Sequence, residues 1–140
     1  MAKDQQFYVG QKAFIDNNGK ILLLNDPILG NDLPGGKIQI GEFDFIAALK
    51  REVKEETNLE IEVLSPFISW YFHIPKESKH RNAGKLIFIV GYKCKYLSGE
   101  IKLSDEHDKY TWIDKNSYQQ FKHKWSAYWA LEKYFTHKRS

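Results

Sequence analysis

The chain has 140 residues, enough to bury one hydrophobic core, and reads as a single domain over residues 1–140. Its net charge of +3 suits an anionic small molecule such as a nucleotide and is too weak to argue for nucleic-acid binding. A lone cysteine, Cys94, excludes an intrachain disulfide and a cysteine metal site; no signal region opens the chain and no apolar run is long enough for a membrane span, so a cytoplasmic protein is expected.

Residues 7–15 predict a strand, Asp16-Asn17-Asn18-Gly19 a turn, and Lys20 to Leu24 a second strand that closes a hairpin. Asn25 to Asp32, with Pro27, Gly30 and Asn31, reads as a loop. Leu33-Pro34-Gly35-Gly36 is a tight turn into a short strand over residues 37–40. Asp44 is a good N-cap for a helix starting near Phe45, and Asn58 suits the left-handed position that ends it.

Leu59 to His73 is rich in β-branched and aromatic residues and reads as one long or two broken strands. Pro75 to Gly84 is a polar, basic loop, and Lys85 to Tyr96 is apolar enough for a central strand, with Cys94 as a buried structural thiol. A turn at residues 97–100, a short extended piece at 101–103, an acidic loop at 104–109 and a strand at 110–113 follow. A second long helix is predicted from Asp114 to Phe135, with a core stripe of Tyr118, Phe121, Trp125, Tyr128, Trp129 and Phe135. His137-Lys138-Arg139 reads as a frayed basic tail. Strands and helices in this order make one α/β layer domain.

The first helix carries the most unusual chemistry. Glu52, Glu55 and Glu56 stand at i, i+3 and i+4, so they share one helix face, while Ile46, Leu49 and Val53 form the apolar stripe. Like charges at these spacings cost roughly 0.2–0.5 kcal/mol per pair. A hard divalent cation would turn that cost into a gain, because it favours carboxylate oxygen. The alternative is a solvated acidic face.

The residues before the helix add to this. Gly36 to Glu42, followed by Arg51-Glu52-Val53-Lys54-Glu55-Glu56-Thr57-Asn58-Leu59, resembles the Nudix box of the Nudix (MutT-like) hydrolases, G-x5-E-x7-R-E-U-x-E-E-x-G-U, where U is a bulky aliphatic. Leu33-Pro34-Gly35-Gly36 also matches what usually introduces the box. Two departures stand out. Eight residues separate Glu42 from Arg51, and the extra one is assigned to Phe43, before the Asp44 cap, which leaves the helix register intact. Asn58 replaces the last glycine and tolerates the same left-handed backbone.

The resemblance implies a Nudix-type α/β/α sandwich with a mixed β-sheet and two main helices. It implies an enzyme that hydrolyses nucleoside diphosphates linked to another moiety, with Mg²⁺ or Mn²⁺. Glu52, Glu55, Glu56 and the Gly36 carbonyl would be metal ligands, and Arg51 would orient the glutamates. Glu106, in the acidic loop six residues before Trp112, is the candidate for a fourth carboxylate. The general base stays open among Glu52, Glu55 and Glu106, and His107 reads as a bystander.

Substrate choice lies outside the box. Phe7, Tyr8, Trp70 and Phe72 are candidates either for the core or for stacking on a base, and Arg81, with Lys76, Lys79 and His80, either for phosphate or for solvent. Pro75 lies near where ADP-ribose-hydrolysing relatives often carry a proline. The expected substrate is ADP-ribose, a nucleotide sugar or a (d)NTP; the alternatives are an RNA 5′-pyrophosphohydrolase and a non-catalytic nucleotide-sensing module. A homodimer is compatible with all three.

Overall fold

A computed structural model describes residues 2–136. Seven strands and two α-helices follow one another in the order β1 (Tyr8–Asn17), β2 (Lys20–Asp26), β3 (Gly30–Asp32), β4 (Gly35–Lys37), α1 (Phe45–Thr57), β5 (Glu60–His73), β6 (Leu86–Ser98), β7 (Lys109–Ile113) and α2 (Tyr128–Thr136), with a short 3₁₀ turn at Tyr118–Phe121. The strands form a mixed sheet ordered β3-β2-β1-β6-β5, with β4 added to β1 and β7 to β2. β1 and β6 are parallel; the other pairs are antiparallel. This is the expected α/β architecture.

Period-2 alternation in the central strands divides the core into two layers. Ala13, Ile15, Leu22 and Leu24 face one way and pack with Leu49 and Val53 of α1 and with Leu59, Ile61 and Cys94. Phe14, Ile21 and Leu23 face the other way and pack with Ile113, Tyr118, Ala130 and Leu131. Phe14 is fully buried, its ring 5.4 Å from that of Tyr134. Burying a side chain of this size contributes roughly 1.5–3 kcal/mol.

Three expected elements differ. The loop expected over 25–32 contains β3, because Gly30 to Asp32 pair with Asp26 to Leu24. The strand expected at 37–40 lies earlier: Gly35, Gly36 and Lys37 pair with Lys12, Gln11 and Gly10 of β1. The second helix is not continuous from Asp114. Its first half holds only a 3₁₀ turn at Tyr118–Phe121, and His123 takes a left-handed φ of 68°, so α2 starts only at Tyr128. In the helix stripes, Ile46 and Trp129 stay 40% and 44% exposed, although Trp129 still meets Trp70 edge-on at 6.1 Å. The tail at 137–139 lies outside the described residues.

Candidate metal and nucleotide site

The box helix begins and ends as its cap residues dictate. Asp44 accepts a hydrogen bond from the Ala47 amide at 3.0 Å, and Asn58 closes the helix at φ 67° with its amide on the Lys54 carbonyl. The extra residue is absorbed before the cap. Phe43 is 84% exposed, and residues 39–42 form a turn in which the Glu42 amide donates to the Gln39 carbonyl while the Gln39 amide donates to Glu42 Oε1 at 2.8 Å. Glu42 therefore still reaches Arg51, which grips it with Nε at 3.0 Å and Nη2 at 2.9 Å, a two-pronged charge-assisted pair. The Gln39 amide, and then Arg51, hold the Glu42 carboxyl below its ordinary value.

Arg51 also spans the helix face. Nη2 lies 3.0 Å from Glu52 Oε1, and Nη1 lies 3.1 Å from Glu55 Oε2. One guanidinium thus fixes three carboxylates, and they outweigh its partial burial to raise its own pKa.

The three helix glutamates do not share one environment. Glu55 is exposed, Glu52 half-buried and Glu56 buried. Burial pushes the Glu52 carboxyl up, against Arg51. Burial pushes Glu56 further, to about 8, with Asp32 and Glu106 adding repulsion and Lys12 and the Gly35 amide opposing. Glu56 Oε1 accepts the Gly35 amide at 2.7 Å.

β4 comes close to the helix because its first two residues, Gly35 and Gly36, lack side chains. A Cβ on Gly36 would stand 2.6 Å from the Glu52 carboxyl group, so only glycine leaves room between this strand and that carboxylate. The loop before β7 is tied down from two sides. The Ser104 amide donates to the Glu56 carbonyl at 3.2 Å, and Asn25 Nδ2 donates to Asp108 Oδ1 at 2.8 Å. This brings Glu106 and His107 to Glu56: one ligand atom from each lies within 4.8 Å of the other two.

A divalent cation fits this arrangement. Four glutamates line one cleft, the Gly36 gap keeps it open, and buried His107 Nδ1 has no hydrogen-bond partner among the described residues. Glu56, Glu106 and His107 form the tightest group, while Glu52 and Glu55 are held by Arg51 beside it.

The cleft measures about 570 Å³, within the usual range of roughly 300–1,000 Å³ for small-molecule sites. Besides Gly36 and the four glutamates, Tyr8, Lys37, Trp70, Phe72 and Arg81 line it. Phe7 does not; its ring packs edge-on against Phe88 at 6.0 Å. Lys37 and Lys85 both donate to Asn82 Oδ1 at 2.9 Å, and burial, then Lys85 and Arg81, lower the Lys37 pKa. Arg81 meets Glu106 at 3.0 Å.

Other residues at the site had no signal in the sequence. His80, read as part of a basic loop, is buried against Asp26 at 3.0 Å and anchors that loop to the end of β2. Lys12 and Asp32 form an ion pair of 3.0 Å, and Asp32 contacts His107. Their partners lie tens of residues away, so no local spacing marks them.

The whole arrangement is a carboxylate-lined cleft on a mixed-sheet α/β sandwich. A family model for the NUDIX domain matches residues 9–134, and the chain belongs to that family; with the hydrolases among the solved structures it resembles, this makes it a hydrolase of phosphoric anhydride bonds. Among curated proteins none matches the sequence. Among solved structures, a MutT NUDIX hydrolase from Burkholderia pseudomallei is 27% identical, with a TM-score of 0.65 over 80% of this chain and 86% of that one. A NUDIX hydrolase from Nitrosomonas europaea is 20% identical at a TM-score of 0.74, over 96% and 92%. An ADP-ribose pyrophosphatase from Streptococcus suis is 24% identical at 0.60, over 80% and 77%; at this identity the last two likenesses show the fold.

Proposed function

We propose that the chain is a Mg²⁺- or Mn²⁺-dependent pyrophosphohydrolase. It cleaves a nucleoside diphosphate linked to another moiety, ADP-ribose, a nucleotide sugar or a (d)NTP, to a nucleoside monophosphate and a phosphorylated product. The observation that carries this reading is the convergence of Glu52, Glu55, Glu56 and Glu106 on one cleft that also exposes Lys37, Arg81 and aromatic side chains.

In this reading Glu52, Glu55 and Glu56 hold the cation, with the Gly36 carbonyl beside them, and Arg51 keeps Glu52 and Glu55 aimed. When bound, a divalent cation neutralises diphosphate charge and acidifies the attacking water. Lys37 and Arg81 neutralise phosphate oxygens, and Tyr8, Trp70 and Phe72 flank the base or sugar. A carboxylate among Glu52, Glu55 and Glu106 takes the water proton. The water oxygen bonds to one phosphorus, the anhydride P–O bond on its far side breaks, and the bond's electron pair leaves with the second phosphoryl group.

A cleft of about 570 Å³ favours a mononucleotide-sized substrate over an RNA 5′ end. Retention of every box carboxylate favours an enzyme over a nucleotide-sensing module. A single domain and a cytoplasmic setting belong to the same proposal; among the described residues no helix is long and apolar enough to cross a membrane. The test is a panel of ADP-ribose, nucleotide sugars, (d)NTPs and triphosphorylated RNA, with Mg²⁺ or Mn²⁺, scored for monophosphate, pyrophosphate and phosphate. Monophosphate from a small nucleotide is expected. Turnover of RNA alone, or of nothing, overturns the reading.

A further inference from the structure

We propose that His107 is a nitrogen ligand of the divalent cation and shares it with Glu56 and Glu106, giving the site a mixed imidazole–carboxylate donor set. This rests on the metal-dependent reading above and adds a residue that the box does not contain.

The argument starts from the ring's two nitrogens. Nε2 lies 3.0 Å from Asp32 Oδ2. That carboxylate already accepts the Leu33 amide at 2.8 Å and stands 3.0 Å from Lys12 Nζ. Its neighbours are donors, so it acts as an acceptor, and His107 must present Nε2–H to it. In the neutral ring Nδ1 then carries a lone pair.

That lone pair is buried and unmet. His107 is 4% exposed, and its Nδ1 has no hydrogen-bond partner among the described residues. It faces Glu56 Oε2 at 3.8 Å, too far for a hydrogen bond in either direction. Glu56 Oε1 is taken by the Gly35 amide, which leaves Oε2 turned to the histidine. His107 Nδ1 and Glu56 Oε2 face each other across a gap that no hydrogen bond bridges.

A cation can. Ligand atoms at about 2.0–2.2 Å from one metal ion stand about 3–4 Å from each other, which covers the observed separation. Glu106, the third member, has an oxygen within 4.8 Å of both. Asp32 then serves as the carboxylate that orients a ligating histidine, with Lys12 balancing the charge. An imidazole donor shifts preference away from Mg²⁺ and toward Mn²⁺ and later transition metals.

The experiment is pulsed electron paramagnetic resonance of Mn²⁺ bound to the full chain, unlabelled and with ¹⁵N-histidine. The expected result is a histidine ¹⁴N coupling that changes to the ¹⁵N pattern on labelling. The coupling should vanish in His107→Gln, and the Mn²⁺ dissociation constant should rise by about tenfold or more. If that variant fails to fold, the labelled native chain still decides whether histidine is bound. Of the other histidines, His80 has both ring nitrogens occupied by Asp26 and the Asn82 amide. Bound Mn²⁺ without histidine coupling, or coupling that persists in His107→Gln, overturns the inference and leaves the enzyme reading intact. Absence of Mn²⁺ binding overturns both.

Discussion

Arg81 Nη2 lies 3.0 Å from Glu106 Oε2, joining the loop after β5 to the loop before β7, both of which line the cleft. The pair is about half exposed on each side, so it contributes little to stability. Its interest is in function. A phosphate group entering the cleft competes with Glu106 for the guanidinium, and a released Glu106 is free for the cation or the water. Arg81→Ala should raise KM for a diphosphate substrate by about tenfold, equivalent to about 1.4 kcal/mol, with a melting temperature close to that of the native chain. Arg81→Lys should recover part of the loss. Steady-state kinetics check this, and an unchanged KM in the alanine variant would remove Arg81 from substrate binding.

Gly36 and Gly35 should respond differently to alanine. At Gly36 the added Cβ meets the far end of the Glu52 side chain, which can swing away, so the fold should lose less than about 1 kcal/mol. The displaced carboxylate should lower turnover by about 10²-fold or more. At Gly35, φ is 140° and the added Cβ collides with the Gln11 backbone carbonyl, so Gly35→Ala should cost about 3 kcal/mol or more. Urea unfolding and turnover, measured together, separate the two. Equal destabilisation of both variants would contradict the account of how β4 approaches the helix.

Asp26 supplies the pH dependence. Burial pushes its carboxyl up, but the Ile28 and Leu29 amides and then His80 outweigh this and hold it below the ordinary value of 3.8. A depressed folded pKa stabilises the protein above the unfolded value, and that contribution is lost as pH falls through the folded value. In Asp26→Asn the one carbonyl oxygen can serve either His80 Nε2–H or the Ile28 and Leu29 amides, and the new NH2 then meets the other, donor against donor. The ring cannot adapt by changing tautomer, because the Asn82 amide already donates to Nδ1 at 3.0 Å. The variant should lose about 1–3 kcal/mol at pH 7, and the gap to the native chain should narrow below about pH 4. Chemical denaturation at both pH values tests the sign; a gap that widens in acid would refute it.

The parts of the fold that local chemistry decides were legible in the sequence. The Asp44 cap, the Asn58 stop and the glutamate spacing need only neighbours within one helix. Phe43 could be assigned to the loop because the cap fixes the register. The break at His123 was not legible, because helical apolar spacing continues through residues that the backbone turns aside. His107 read as a bystander for a related reason. Its meaning depends on Asp32, 75 residues away, and on the absence of a partner at Nδ1, which only the assembled fold defines. His80 likewise gains its role from Asp26, 54 residues distant.

The central claim is that the α1 carboxylates act through a divalent cation on a phosphoric anhydride. Its most direct measurement is turnover of the preferred panel nucleotide by the native chain, Glu55→Gln and Glu56→Gln, with saturating Mg²⁺ or Mn²⁺ and after chelation. The account predicts turnover abolished by chelator and restored by metal, and lower by about 10²–10³-fold or more in each variant. Turnover that survives chelation, or that both variants retain at the native rate, would contradict it.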